Sequence, residues 1–173
     1  MNNLQGWLNV YKPKGISSFK VVNKIKKYFN INKIGHGGTL DPLAEGVLPI
    51  AIGKATKLIP FINNHIKEYE FEVKWGVQTT TDDSEGDVIN KSDIIPTESE
   101  IIKVLEEYKG DIFQKPPKAS AIKINGKRAY ALLRSNKDFE IKEKKVHLYS
   151  SKILKTYIKK STTKFKIKSG KGF

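Results

Sequence analysis

The sequence predicts an α+β fold: a mixed, mostly antiparallel twisted sheet with helices packed against it. Three observations predict it. Side chains alternate strictly from Tyr69 to Trp75, apolar residues recur at helical spacing behind two capping signals, and hairpin-like turns outnumber long crossovers. The 173 residues, 38% of them hydrophobic and 10% aromatic, suffice for one domain with its own core.

In chain order, Trp7-Leu8-Asn9-Val10-Tyr11 reads as a strand running into the turn Lys12-Pro13-Lys14-Gly15. Ser17 or Ser18 then caps a helix whose Val21, Val22, Ile25, Tyr28 and Phe29 fall on one face, with Lys20, Lys24 and Lys27 elsewhere. A glycine-rich loop follows from Gly35 to Gly46, and the apolar run Val47 to Ile52 suits a buried strand. Tyr69, Phe71, Val73 and Trp75 share one face of the next strand. Thr97-Glu98-Ser99-Glu100 has the form of a capping box, Ile101, Val104, Leu105 and Tyr108 continue the helix, and Gly110 ends it. An apolar stretch from Ala119 to Ile124, the Asn125-Gly126 turn, a short helix near Ala129 to Arg134, and strands near Val146 to Leu154 and Lys164 to Lys168 complete the series.

The formal charge of +14 favours polyanions such as RNA, DNA or an acidic membrane surface. Only Arg128 and Arg134 among the 32 basic residues are arginines, so a chain-wide lysine bias competes with a functional explanation. The charge is densest from Lys142 to Phe173, where eleven lysines face the single acid Glu143, and an RNA-facing surface is expected there. The absence of cysteine excludes disulfides, thiolate-bound zinc, iron–sulfur clusters and thiol catalysis, and it fits a cytoplasmic protein. No apolar run has the length of a membrane span and Met1 to Gly6 do not resemble a secretory leader, so no membrane association is expected. His65 and His147 lack metal-ligand spacing and read as structural or surface residues.

Asp41 is the most unusual carboxylate, because it lies in an otherwise uncharged stretch between Leu40 and Pro42, close to Gly35, Gly37 and Gly38. Its local sequence fits a turn-forming Asp-Pro pair equally well. His36 is either a loop histidine or a ligand contact, and alternation alone makes Tyr69 a core residue.

The run Gly35-His36-Gly37-Gly38-Thr39-Leu40-Asp41-Pro42-Leu43-Ala44-Glu45-Gly46-Val47-Leu48-Pro49, followed by Gly53-Lys54-Ala55-Thr56-Lys57, resembles the signature of TruB-type tRNA pseudouridine synthases. Lys12 to Ser18 resembles that family's Lys-Pro-x-Gly-x-[Ser/Thr]-Ser segment, Lys67-Glu68-Tyr69 its Lys-x-Tyr, and Gly76 to Gly86 its Thr/Asp-rich turn. Ser120-Ala121-Ile122-Lys123, with Gly126, Lys127 and Tyr130 nearby, is similar to its Ser-Ala-[Leu/Ile]-Lys segment. The resemblance covers nearly the whole chain in the family's order.

It implies the pseudouridine synthase catalytic fold and isomerisation of the T-loop uridine, position 55 of tRNA, by a monomer without metal or organic cofactor. It further implies that Asp41 is the essential aspartate, that Tyr69 stacks on the target base, and that His36 enters the RNA to help displace that base. Gly37 and Thr39 of the same loop are expected to bind the substrate, and Lys12, Lys54, Lys57 and Lys123 are candidate phosphate contacts. The chemistry needs a flipped uridine and an ionised carboxylate, which either attacks the ribose or removes a proton from it. The last residues, Lys168 to Phe173, resemble the start of an element that in the family continues into Tyr-Ile-Arg. The resemblance therefore implies a chain that stops inside the catalytic domain, before a C-terminal PUA-type domain. That leaves a catalytically inactive tRNA-binding or tRNA-folding protein as the alternative.

Overall fold

The computed structural model describes residues 4–62, 66–117, 120, 122–135 and 138–173. The chain divides into two compact units, residues 1–65 and 66–173. His65, Ala119 and Ala121 lie outside the described residues.

In the first unit, β1 (Gly6–Lys12) leads through a turn to α1 (Ser18–Tyr28), then β2 (Ile34–His36) and β3 (Gly46–Ile52). A 3₁₀ helix (Gly53–Leu58) and α2 (Ile59–Ile62) close the unit. The strands form one antiparallel sheet in the order β1-β3-β2, so the apolar run expected to be buried is its central strand. Period-two alternation turns Leu8 and Val10 of β1 toward α1, where they pack with Ile34 around the buried Val21, Val22, Leu48 and Ile50. Ser17 proves to be the helix cap: its hydroxyl accepts from the Lys20 amide at 3.2 Å, and Ser18 is the first helical residue. The apolar face read from the sequence runs one turn too far, because Tyr28 is exposed and lies edge-on to Phe29 with ring centroids 4.8 Å apart.

The second unit contains β4 (Lys67–Lys74), β5 (Val77–Thr79), β6 (Val88–Lys91), α3 (Glu98–Glu107) and β7 (Gly110–Gln114). It continues with β8 (Lys123–Ile124), β9 (Lys127–Arg128), α4 (Ala129–Arg134), β10 (Lys144–Tyr157) and β11 (Thr162–Ser169). Four strands make an antiparallel sheet in the order β4-β11-β10-β7, and β5-β6 and β8-β9 are separate hairpins. The capping box of α3 is complete: Thr97 Oγ1 accepts from the Glu100 amide at 3.3 Å, and the Glu100 carboxylate accepts from the Thr97 amide at 2.7 Å. Asn125 and Gly126 join β8 to β9 as the two-residue turn their sequence predicts.

Register sets the two faces of the four-stranded sheet. Tyr69, Phe71 and Val73 of β4 stand opposite Ile167, Phe165 and Thr163 of β11. Phe71 stacks on the buried Phe165 at 5.6 Å, and the Trp75 indole, just past the strand, donates to Thr163 Oγ1 at 2.9 Å. The alternate residues form a charge ladder on the other face: Lys164 pairs with Glu70 at 2.9 Å, and Glu68 with both Lys166 at 2.7 Å and Lys168 at 2.8 Å. The α+β class and the antiparallel pairing hold, while among the described residues the strands are shared among four sheets rather than one.

The hydrogen bonds from Lys166 and Lys168 draw the Glu68 carboxyl down from 4.5 to about 2, and Lys164 lowers Glu70. A carboxylate lowered on folding stabilises above its unfolded pKa, and that stabilisation is lost as pH falls through the folded one. The ladder's contribution is therefore complete above pH 4.5 and lost toward pH 2. A carboxyl-detected NMR titration should place Glu68 near 2 at low salt. Added salt should raise that value, since the pairs face solvent, and a midpoint at the ordinary glutamate value would show that the ladder does not form in solution.

Candidate active site

The segment 37–45 leaves β2 at His36 and enters β3 at Gly46, and its backbone is tied down along its length. The Gly37 amide donates to Pro49 O at 2.8 Å, and a ring nitrogen of His36 bonds the Gly38 carbonyl. A carbonyl only accepts, so His36 Nδ1 carries the hydrogen there and Nε2 takes no part in that bond. Ser18 Oγ donates to Leu40 O and accepts from Leu40 N, both at 2.9 Å. The Gly15 amide donates to Pro42 O at 2.8 Å, and the Tyr11 phenol bonds the Glu45 carboxylate.

Asp41 sits between the Leu40 and Pro42 anchors, and it is exposed. Its carbonyl accepts from the Ala44 amide at 3.1 Å, closing a four-residue turn with Pro42 in the second position. The turn-forming reading of Asp-Pro is thus correct, and it uses only main-chain atoms. The carboxylate remains displayed outside the turn.

Gly37 lies close against α2: a Cβ there would overlap Ile62 Cδ1, whose side chain would have to shift, and one at Gly35 would stand 3.0 Å from Ile59 Cδ1. Gly38 adopts φ +126°, a region that residues with a side chain rarely enter. Thr39 is exposed on the loop.

Lys12 overturns its expected role. Alternation along β1 puts it on the core side with Leu8 and Val10; it has no exposed surface, and its ammonium donates to Pro13 O at 3.0 Å and Ile16 O at 2.8 Å. Folded this way it is a clamp on the 12–16 turn and not a phosphate contact. Lys54 and Lys57 are exposed on the 3₁₀ helix.

Tyr69 and Lys123 belong to the second unit. Tyr69 is 36% exposed, and partial burial raises its phenol above the ordinary value. Lys123 is exposed on the β8-β9 hairpin. The basic tail is less free than its sequence implies: Lys164, Lys166 and Lys168 pair with β4, and Lys145 pairs with Asp111 of β7 at 2.7 Å. His147, read from the sequence as a structural or surface residue, is partly exposed and bonds Asp111 at 2.6 Å.

Sequence reasoning missed the anchors Tyr11, Gly15 and Ser18. Ser18 lies 22 residues from Leu40, so no local pattern links them. Among the described residues no cluster of His, Asp and Glu is arranged to hold a metal, and no helix is long and apolar enough to cross a membrane.

Asp41 is thus an exposed carboxylate on a backbone-anchored loop of an antiparallel α+β fold. Residues 26–173 match the family described as TruB family pseudouridylate synthase (N terminal domain). The chain belongs to that family. It is 50% identical over 151 residues to a tRNA pseudouridine synthase B of Wolbachia pipientis, covering 87% of this chain and 43% of that protein. A second, from Ehrlichia ruminantium, is 46% identical over 169 residues, covering 98% and 57%. The chain thus spans about half the length of the curated relatives it matches. Among solved structures, a chain of a Cbf5-Nop10-Gar1 complex matches with TM-score 0.68 at 30% identity, covering 97% of this chain and 40% of that one. A chain of an H/ACA RNP bound to a substrate RNA containing 2′-deoxyuridine matches with TM-score 0.65 at 26% identity, covering 97% and 38%.

Two outcomes test this geometry. Gly37→Ala should cost about 1–3 kcal/mol in denaturant unfolding, and less in an Ile62→Val background that lacks the obstructing Cδ1; equal costs in both backgrounds would refute the contact. Lys12→Met should lower the melting temperature, whereas Lys54→Ala, at an exposed side chain, should leave it unchanged; equal melting temperatures for the two variants would refute the Lys12 clamp.

Proposed function

We propose that this chain forms the N-terminal part of the catalytic domain of a tRNA pseudouridine synthase and carries its catalytic aspartate, Asp41. The substrate is the T-loop uridine at the T-arm of tRNA, taken by a monomer in the cytoplasm. The observation that carries the reading is the open carboxylate of Asp41, whose flanking residues Leu40 and Pro42 are both held by backbone hydrogen bonds. Family membership and the names of its relatives support the substrate class.

The reaction is an isomerisation. The N1–C1′ bond breaks, the uracil turns, C5 bonds to C1′, and the proton lost from C5 is balanced by one gained at N1, so no redox cofactor or phosphate donor enters. Asp41 serves either by bonding to C1′ or by taking a ribose proton to give a glycal, and both routes begin from the charged carboxylate. A stacked uridine exposes neither reacting carbon to it, so the base is flipped out. To His36 we assign the displacement of the base, through the ring edge left by its bond to Gly38. Two roles fall to the second unit: the half-open Tyr69 ring stacks on a base, an interaction of about 1–3 kcal/mol, and Lys123 offers its ammonium to a phosphate.

The test is pseudouridine formation on unmodified tRNA. Asp41→Ala should lower the rate at least about a hundred-fold with tRNA affinity kept, and Tyr69→Phe should retain far more activity than Tyr69→Ala. An Asp41→Ala protein as active as the wild type would overturn the reading. An inactive wild type that still binds tRNA would favour the binding protein instead.

A further inference from the structure

We propose that Ser18 is a positioning residue for Asp41, holding the loop backbone so that the carboxylate is presented in one place. The inference rests on the catalytic reading of Asp41 and adds to it a residue that touches no substrate.

The geometry is specific. Ser18 is 1% exposed, and its hydroxyl bonds both main-chain groups of one residue, donating to Leu40 O and accepting from Leu40 N at 2.9 Å each. Those atoms belong to consecutive peptide units, Thr39-Leu40 and Leu40-Asp41. Because each unit is planar, fixing Leu40 O also fixes the plane that contains the Asp41 nitrogen. On the far side Pro42 restricts the Asp41 backbone toward extended conformations, and the Gly15 amide holds Pro42 O at 2.8 Å. Asp41 is therefore constrained from both neighbours, although its own side chain is exposed.

Ser18 is suited to this because it opens α1, whose Val21 and Val22 are locked into the core. It is not the helix cap; Ser17 has that task. A buried hydroxyl on a rigid element, spent wholly on a distant loop, does nothing for the helix that carries it. Supporting hydrogen bonds of this kind hold a reacting group to the sub-ångström tolerance that catalysis requires.

The experiment compares wild type, Ser18→Ala, Ser17→Ala and Asp41→Ala in single-turnover pseudouridine formation on unmodified tRNA, with tRNA Kd and melting temperature measured for each. A second readout, amide hydrogen exchange at Leu40, does not depend on activity. Ser18→Ala should lower the rate about ten- to a hundred-fold with Kd unchanged and speed exchange at Leu40. Ser17→Ala should lose its cap and some melting temperature yet turn over at the wild-type rate. Should Ser18→Ala prove too unstable to assay, Ser18→Cys, with its weaker donor, takes its place and should give an intermediate rate. Unchanged Leu40 exchange, a wild-type rate in the Ser18 variant, or an equal rate loss in Ser17→Ala would each overturn the proposal. An active Asp41→Ala would instead overturn the reading beneath it, while the exchange data would still report whether the anchor exists.

Discussion

The first unit depends on the register of β3, which lies between β1 and β2 and pairs with both. His36 is opposite Ile50 on one side, and Lys12 is opposite Gly46 on the other. These pairings fix the points at which the Asp41 loop leaves the sheet and returns to it. A slip of one residue would turn Leu48 and Ile50 outward and bring Val47 and Pro49 in, so the hydrophobic core itself holds the loop ends in place. The loop needs no hydrophobic side chains of its own to be well placed. It needs acceptors and donors along its backbone.

Those come from the turn before α1, and Lys12 explains why that turn is firm. Burying an ammonium is costly unless its donors find partners, and here Pro13 O and Ile16 O receive them. Removing the amine would leave the Pro13 and Ile16 carbonyls without those bonds, and the cost of burying the ammonium favours the one turn geometry that satisfies it. From this turn the Gly15 amide and the Ser18 hydroxyl reach Pro42 and Leu40. A run of short-range contacts thus leads from a buried lysine to the backbone on both sides of an exposed aspartate.

What could be read from the sequence was whatever a short window contains. The Thr97 capping box, the Asn125-Gly126 turn and the alternation of Tyr69 to Val73 are local rules, and each element formed where its rule put it. The short strands β2, β5 and β7 escaped notice because three to five residues carry too little pattern to separate from a loop. Tyr28 was assigned to a buried face because helical spacing does not say where the sheet beneath a helix ends. At Lys12 position outweighs chemical character: the alternation that turns Val10 inward also buries the residue two places on. In the site, Asp41 stood out by composition, while Ser18 and Gly15 acquire meaning only when the chain has folded.

The charge offers the same lesson in another form. A window from Lys142 to Phe173 is almost purely basic, yet three of its lysines lie in β11 beside Glu68 and Glu70 of β4, and Lys145 lies beside Asp111 of β7. The neutralising acids are remote in sequence and adjacent in the sheet. What a polyanion meets is the sum over spatial neighbours, so on this face the lysines already paired contribute less to attraction than their number implies. To act as phosphate ligands they would first exchange these solvent-facing carboxylate partners. Of the eleven lysines in that window four are paired in this way, so the window's charge in the folded sheet is smaller than its sequence alone shows.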